Sequence, residues 1–215
     1  MIIEVIEPSV VFETPLDGFP ELLERLARTC YKSEGKIEPG TADPFLRRHR
    51  NHQGIFEHAY VTVRFICDRR CSHQLVRHRI ASYLQESQRF CDYARLGLQV
   101  IAPPCIAIQV GDYDINHLPF GLSLRQRCWL YVIGQSYAEY IAERKEGIPA
   151  EEAASVLPGA TKTEIVTTMN LRSWRNVFHE RALNPRAQQQ IRSLTQQVLD
   201  RFIEKLPWCF DDLRG

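Results

Sequence analysis

A run of seventeen residues, Gln74-Leu75-Val76-Arg77-His78-Arg79-Ile80-Ala81-Ser82-Tyr83-Leu84-Gln85-Glu86-Ser87-Gln88-Arg89-Phe90, carries three arginines, a histidine, two serines and three side-chain amides. Such a density of hydrogen-bonding groups suits an anionic partner. Each guanidinium presents five donors in a planar fork, so Arg77, Arg79 and Arg89 can each hold phosphate or carboxylate oxygens two at a time. A solvated basic turn would account for Arg77-His78-Arg79 alone. The polar run from Ser82 to Arg89 extends the binding chemistry without becoming a charge cluster, and argues for a site. Further along, Arg181 shares one side of a helical stretch with Trp174, Val177 and Phe178. A guanidinium on an apolar stripe is costly unless it is paired or well hydrogen-bonded, so it implies a partner glutamate, a snorkelling side chain or a functional anion. Arg172 and Asn176, one turn apart, lie on a different side.

Other chemistry is missing. Neither G-x-G-x-x-G nor G-x-x-x-x-G-K-[ST] occurs, so a dinucleotide has to be held without a glycine-rich turn, and there is no G-x-S-x-G elbow. His49, His52 and His58 lack H-E-x-x-H spacing and have no cysteine at zinc-site distance, so no metal is expected. The seven cysteines form no C-x-x-C pair, which predicts reduced and mostly buried thiols. A net charge of +1 excludes a broad electrostatic claim on nucleic acid and confines any cationic site to a local cluster. Arginine outnumbers lysine heavily, which suits fork-like recognition of small anions and would equally follow from codon usage.

These residues need elements to hold them. At 215 residues, with 44% apolar and 25% charged side chains, the chain reads as one soluble domain spanning residues 1–215. No apolar run approaches the roughly 20 residues that span a bilayer, and Met1-Ile2-Ile3-Glu4 has no basic leader region, so a cytoplasmic protein with no membrane partner is expected. Ile2 to Ile6 reads as a strand. Phe19, Leu22, Leu23, Leu26, Ala27, Cys30 and Tyr31 form a helical stripe, a polar helix follows around Asp43 to Asn51, and Tyr60 to Cys67 alternates as a strand. Asp68 is placed to cap a helix that turns Cys71, Leu75 and Val76 inward and carries Gln74, Arg77 and His78 on a polar face. Ile80 to Phe90 reads as an irregular loop, and Gln99 to Ala102 as a strand. A long helix from about Phe120 to Glu146 has Leu122, Trp129, Val132, Ile133, Tyr137, Tyr140 and Ile141 as its buried stripe. A short helix after Pro149, a strand from Thr161 to Met169, a helix from Leu171 to Ala182 and a final helix from Ile191 to Leu206 complete the reading.

Arg77-His78-Arg79, seven further residues and then Ser87-Gln88-Arg89 match an R-H-R-x7-S signature, and the segment resembles the hallmark of the flavin-dependent (ThyX-type) thymidylate synthases. Four other stretches resemble that family in order: His52 to His58 its G-H-x-x-x-x-E-H run, Leu157-Pro158 with Thr163-Glu164-Ile165 its L-P...T-E-I segment, Asn170-Leu171-Arg172...Asn176...Arg181 its N-x-R-x3-N-x4-R helix, and Ala187 to Arg192 its A-Q-x-E-I-R run. The resemblance implies an α+β fold, with a central mostly antiparallel sheet packed with long helices, and a homotetramer with shared active sites. It implies reductive methylation of dUMP to dTMP, with methylenetetrahydrofolate as carbon donor and NADPH-reduced FAD as reductant. It assigns dUMP binding to Gln74, Leu75, Val76, Arg77, Gln85, Glu86, Ser87, Gln88, Arg89 and Arg181. FAD binding falls to His52, Gly54, Arg77, His78, Arg79, Gln85, Asn170, Leu171, Arg172 and Asn176. Arg181 is the catalytic position: a guanidinium beside the N3/O2 edge of the uracil stabilises developing charge and makes C5 more nucleophilic without a covalent enzyme adduct.

Departures from the family pattern bear on specificity. Ala154 stands where the family often has a nucleotide-contacting arginine, Gly54 replaces a hydroxyl residue, Phe90 a tyrosine and Gln190 a glutamate. Ala154 leaves open weaker nucleotide affinity, compensation by another arginine, or a different pyrimidine such as UMP or dCMP. A non-catalytic nucleotide- or RNA-binding module would retain Arg77, Arg79 and Arg89 without needing the paired flavin helix.

Overall fold

A computed structural model describes residues 1–214. In chain order the strands and helices are β1 (Ile2–Val5), β2 (Ser9–Phe12), α1 (Phe19–Arg28), α2 (Ala42–Arg48), β3 (Tyr60–Asp68), α3 (Arg69–Leu75), β4 (Ser82–Gln85), α4 (Tyr93–Leu96), β5 (Leu98–Val100) and β6 (Gly111–Asp114). Then come α5 (Leu124–Lys145), α6 (Ala150–Ala153), β7 (Lys162–Asn170), α7 (Leu171–Val177), α8 (Gln189–Lys205) and α9 (Pro207–Phe210), interspersed with short 3-10 turns. The fold is α+β. Its strands form two sheets rather than the one central sheet expected: a three-stranded sheet in the order β5-β1-β6 and a four-stranded sheet in the order β2-β3-β7-β4. The chain divides into two interleaved compact units, and β3 and β7 each contribute residues to both.

The first unit comprises Met1–Ser9, Phe65–Gln74 and Leu84–Ile165. Here β1 runs parallel to β5, with Ile3 opposite Leu98, and antiparallel to β6, with Ile3 opposite Tyr113. Ile3, Val5, Leu98, Val100 and Tyr113 supply the sheet's share of a core completed by Leu130, Ile133, Tyr137 and Tyr140 of α5. That helix starts at a reciprocal cap, in which Ser123 Oγ accepts from Gln126 N and Gln126 Oε1 accepts from Ser123 N. Its buried face differs from the expected stripe: Leu122 precedes the helix, Trp129 is half-buried and Val132 is 60% exposed. Gly134 explains the rotation, because a Cβ there would stand 2.6 Å from Ile115 Cγ2, and the missing side chain lets the helix close on that residue.

The second unit comprises Val10–Arg64, Leu75–Tyr83 and the described residues from Val166 onward. Its core is aromatic: Trp174 stacks on Phe178 at 5.8 Å, and Phe178 meets Phe202 and Phe210 edge-on at 5.3 and 5.6 Å. Trp174 Nε1 donates to the carbonyl of Val61 at 3.1 Å, which satisfies its polar end. Along α8 the expected stripe is buried at Ile191, Leu194, Thr195, Val198, Leu199 and Phe202.

Around the signature segment the structure revises the expectation twice. Asp68 caps α3 as predicted, accepting from Cys71 N at 2.7 Å, but the helix ends at Leu75. Arg77 and His78 therefore lie beyond it, and Val76 is 38% exposed rather than inward. Ser82 to Gln85, expected as loop, forms β4, the edge of the four-stranded sheet. All seven cysteines are free; Cys67, Cys71 and Cys209 are buried, whereas Cys30, Cys105 and Cys128 are exposed, contrary to the expectation of mostly buried thiols. Among the described residues no helix is long and apolar enough to cross a membrane.

Candidate functional site

Two arginine-bearing cavities contain most of the residues singled out above, one in each unit. In the second unit, β7 ends at Asn170, whose Oδ1 accepts from Ser173 N at 2.8 Å and so opens α7. This cap places Arg172, Ser173 and Asn176 on the wall of a cavity of about 700 Å³, whose other wall is the turn Arg77 to Ile80. Three guanidiniums, two side-chain amides and the exposed Ile80 thus converge from segments far apart in sequence. Glu57, which the sequence reading did not single out as a site residue, also lines this cavity and accepts from Arg172 Nη1 at 2.5 Å; its signal was the glutamate of the His52-to-His58 run.

Not every residue assigned to flavin lies here. Leu171 is fully buried and turns into the core, with its amide on the carbonyl of Ala59 at 3.0 Å. His52 and Gly54 stand outside the lining; the His52 Nδ1 lies 3.2 Å from Tyr31 Oη, and Gly54 sits beside the His52 ring.

Arg181 lies on a turn of π-helix, Phe178–Ala182, closed by the bond from Leu183 N to the carbonyl of Phe178 at 2.9 Å. The extra residue breaks the α-helical register: Trp174, Val177 and Phe178 stay buried, whereas Arg181 is half-buried instead of following their stripe. Its Nε donates to His78 Nε2 at 3.2 Å. His78 is held below its ordinary pKa, first by burial and then by the Arg181 charge, against a smaller opposing pull from Glu180. The imidazole is therefore neutral near pH 7 and serves as an acceptor for the guanidinium.

In the first unit, Gln85 to Arg89 line a cavity of about 330 Å³ together with Arg69 and Glu151, two residues the sequence reading did not single out. Gln85 Nε2 donates to Ser72 Oγ at 2.9 Å and to Thr163 Oγ1 at 3.2 Å, which fixes the end of β4. The Glu86 carboxylate accepts from Tyr93 Oη, Lys162 Nζ and Glu164 N, at 3.0, 3.0 and 3.2 Å, and so anchors the segment. Arg89 Nε donates to Glu151 Oε2 at 2.5 Å. Ala154, in the turn after α6, is buried and offers no polar group. Gln74, Leu75 and Val76 are outside both linings; Leu75 is fully buried, and Gln74 Nε2 is 3.5 Å from the carbonyl of Arg70.

Fold and site together define an α+β protein whose two cavities are lined by side-chain guanidiniums and amides in place of a glycine-rich loop. The family described as thymidylate synthase complementing protein matches residues 13–208, and the chain belongs to that family. It is 32% identical, over 96% of its length and 85% of the relative's, to a flavin-dependent thymidylate synthase of Mycobacterium sp. (strain JLS). It is 33% identical, over 95% and 84%, to the protein of that name from Mycobacterium tuberculosis (strain ATCC 25177 / H37Ra). The crystal structure of a UMP/dUMP methylase, PolB from Streptomyces cacaoi bound with 5-Br dUMP, shares the fold: TM-score 0.76 at 19% identity, covering 97% of this chain and 95% of that one.

Proposed function

We propose that the protein is a flavin-dependent thymidylate synthase that methylates dUMP to dTMP, with methylenetetrahydrofolate as one-carbon donor and NADPH as the source of electrons. The observation that carries this reading is the cavity of the second unit. Six positions that the family resemblance assigns to FAD (Arg77, His78, Arg79, Asn170, Arg172 and Asn176) meet around one space of about 700 Å³. That donor set fits the group: guanidinium forks match pyrophosphate oxygens, amides serve ring or ribose polar atoms, and the exposed Ile80 offers an apolar face. When bound and reduced by NADPH, FAD would supply the hydride that turns the transferred one-carbon unit into a methyl group.

The chain's own residues bind, orient and polarise. Ser87, Gln88 and Arg89 receive the nucleotide, while Gln85 and Glu86 hold their segment in place through the bonds to Ser72, Thr163, Tyr93 and Lys162. Arg181, aimed by neutral His78, supplies positive charge to the pyrimidine ring as charge builds on it. We place these roles in one catalytic domain of a cytoplasmic homotetramer whose subunits share active sites, in keeping with a family resemblance that covers most of the chain.

Methylation of UMP is the second reading, favoured by Ala154, which is buried and contributes no donor where the family often has an arginine. Release of tritium from C5-labelled dUMP in the presence of FAD, NADPH and methylenetetrahydrofolate tests the main reading. Running UMP and dCMP beside it separates the two. A purified protein without flavin absorbance that also fails to bind added FAD would defeat both.

A further inference from the structure

We propose that the outward face of α5 is an interface with a second copy of this chain, in which the two helices pack antiparallel across a two-fold axis at Val132. The inward face of α5 buries Leu130, Ile133, Tyr137 and Tyr140 in the core of the first unit. Its opposite face is also apolar: Leu124, Tyr131 and Val132 are 78%, 58% and 60% exposed, and Cys128 is exposed between them. Phe120, just ahead of the helix, is fully exposed. Exposed apolar side chains scattered singly are ordinary, whereas a run of them along one side of one helix marks a surface that another surface covers. The spacing points the same way. Arg125, Cys128, Val132, Gln135, Glu139 and Ala142 follow one another at alternating intervals of three and four residues, and all are exposed. Such intervals draw a straight seam along a helix, the line on which a second helix packs. No residue of α5 lines either cavity, so the inference goes beyond the proposed reaction.

Charge selects the occupant. Arg125 stands seven residues before Val132 and Glu139 seven after it. At a rise of about 1.5 Å per residue, each lies about 10 Å from the centre of the seam, in opposite directions. Both are exposed, and among the described residues neither has an ion-pair partner. A two-fold axis through Val132 therefore sets Arg125 opposite the partner's Glu139 and Glu139 opposite the partner's Arg125, so two ion pairs form at once. Parallel helices would set arginine against arginine. By the same rise, Leu124 falls midway between the levels of the partner's Ala138 and the partner's Ala142, whose small side chains leave room for it. Tyr131 and Cys128 flank Val132 at the centre. A patch complementary to itself in this way is what an isologous contact requires, and an unrelated partner would have no need of opposite charges placed symmetrically about one residue.

The test is the solution mass of the intact protein, with crosslinking to fix the register. Arg125→Glu and Glu139→Arg, made singly, place like charges opposite one another, and each should weaken the contact about 100-fold and halve the mass measured by sedimentation at micromolar concentration. Arg125→Glu combined with Glu139→Arg should restore the parent mass. Val132→Cys should join two chains under a mild oxidant, because its two sulfurs meet at the axis. Native Cys128 should not, since the two-fold axis leaves that pair about 12 Å apart along the helices, beyond disulfide reach. The substituted side chains are exposed, so circular dichroism should match the parent; if a charge variant fails to fold, the Val132 crosslink decides alone. A wild-type monomer would hand the face to a different partner and overturn the proposal. Masses unchanged by both single reversals, a loss that the double variant does not repair, no crosslink in Val132→Cys, or a crosslink through Cys128 would overturn it as well. The proposed reaction fails separately: absence of tritium release from dUMP in a protein that still assembles through α5 leaves the contact standing.

Discussion

Arg181 Nε lies 3.2 Å from His78 Nε2, joining residues 103 positions apart through one hydrogen bond. The bond ties the π-helical turn to the cavity that His78 lines, so it aims a cation without neutralising it. Replacement of Arg181 by alanine is expected to lower turnover about 10²- to 10³-fold, the usual cost of removing one preorganised charge-stabilising donor. The flavin content of the purified variant should stay near that of the parent, since Arg181 is not part of that lining. Turnover within a few-fold of wild type, measured by tritium release, would remove the role.

The same contact predicts a pH dependence. His78 has its folded pKa lowered, chiefly by burial and next by Arg181, below the ordinary value of 6.5. In the unfolded chain the imidazole therefore takes its proton first as pH falls. Its contribution to stability is complete above 6.5 and is lost progressively below it. Denaturant midpoints measured from about pH 5 to 8 should show this slope, and His78→Gln should flatten it. In Arg181→Ala the slope should shrink as the histidine titrates closer to 6.5, a change that NMR of the imidazole protons reads directly.

How far the sequence could carry these assignments depended on whether a pattern follows backbone periodicity. Val61, Val63 and Phe65 alternate along β3, and Ile191 to Phe202 repeat along α8, because burial of one face dictates those spacings. In β4 the alternation is inverted: Leu84 is 76% exposed, while Gln85 is held by two hydrogen bonds, so the segment has the composition of a loop. The π-turn at Arg181 adds one residue to a helix and leaves no compositional mark. Asp68-Arg69-Arg70 is equally silent, since either arginine could have taken the carboxylate. Only side-chain packing decides that Arg70 does and that Arg69 is left for the cavity.

Glu57 and Arg172 form an exposed ion pair on the wall of the larger cavity. Such a pair contributes little to stability in water, but it occupies one edge of a guanidinium that an anionic ligand needs. Glu57→Gln is expected to tighten FAD binding by a few-fold with no loss of thermal stability, and Arg172→Gln to weaken it by about tenfold or more. Titration of the apoprotein by flavin fluorescence quenching gives both values. Weaker flavin binding in Glu57→Gln would mean that the carboxylate orients Arg172 instead of competing for it.

Asp92 anchors the far end of the smaller cavity's segment. Its carboxylate accepts from Arg144 Nη2 at 2.9 Å, Tyr140 Oη at 3.2 Å and Ala94 N at 3.1 Å, and the adjacent Cys91 amide donates to the carbonyl of Ser87 at 2.9 Å. The Arg144 hydrogen bond is the main cause that lowers the acid to a pKa of about 2 from 3.8. A lowered carboxyl contributes stability that is complete above 3.8 and disappears as pH falls towards 2. Asp92→Asn should therefore unfold at higher pH on acid titration, because its anchor is weakened before titration begins, and should lose the part of the acid sensitivity belonging to this group. Because Ser87 and Arg89 lie in the loosened segment, KM for the nucleotide is expected to rise several-fold while kcat changes little. A fall in kcat at unchanged KM would show that Asp92 acts on the chemical step and not on the shape of the nucleotide cavity.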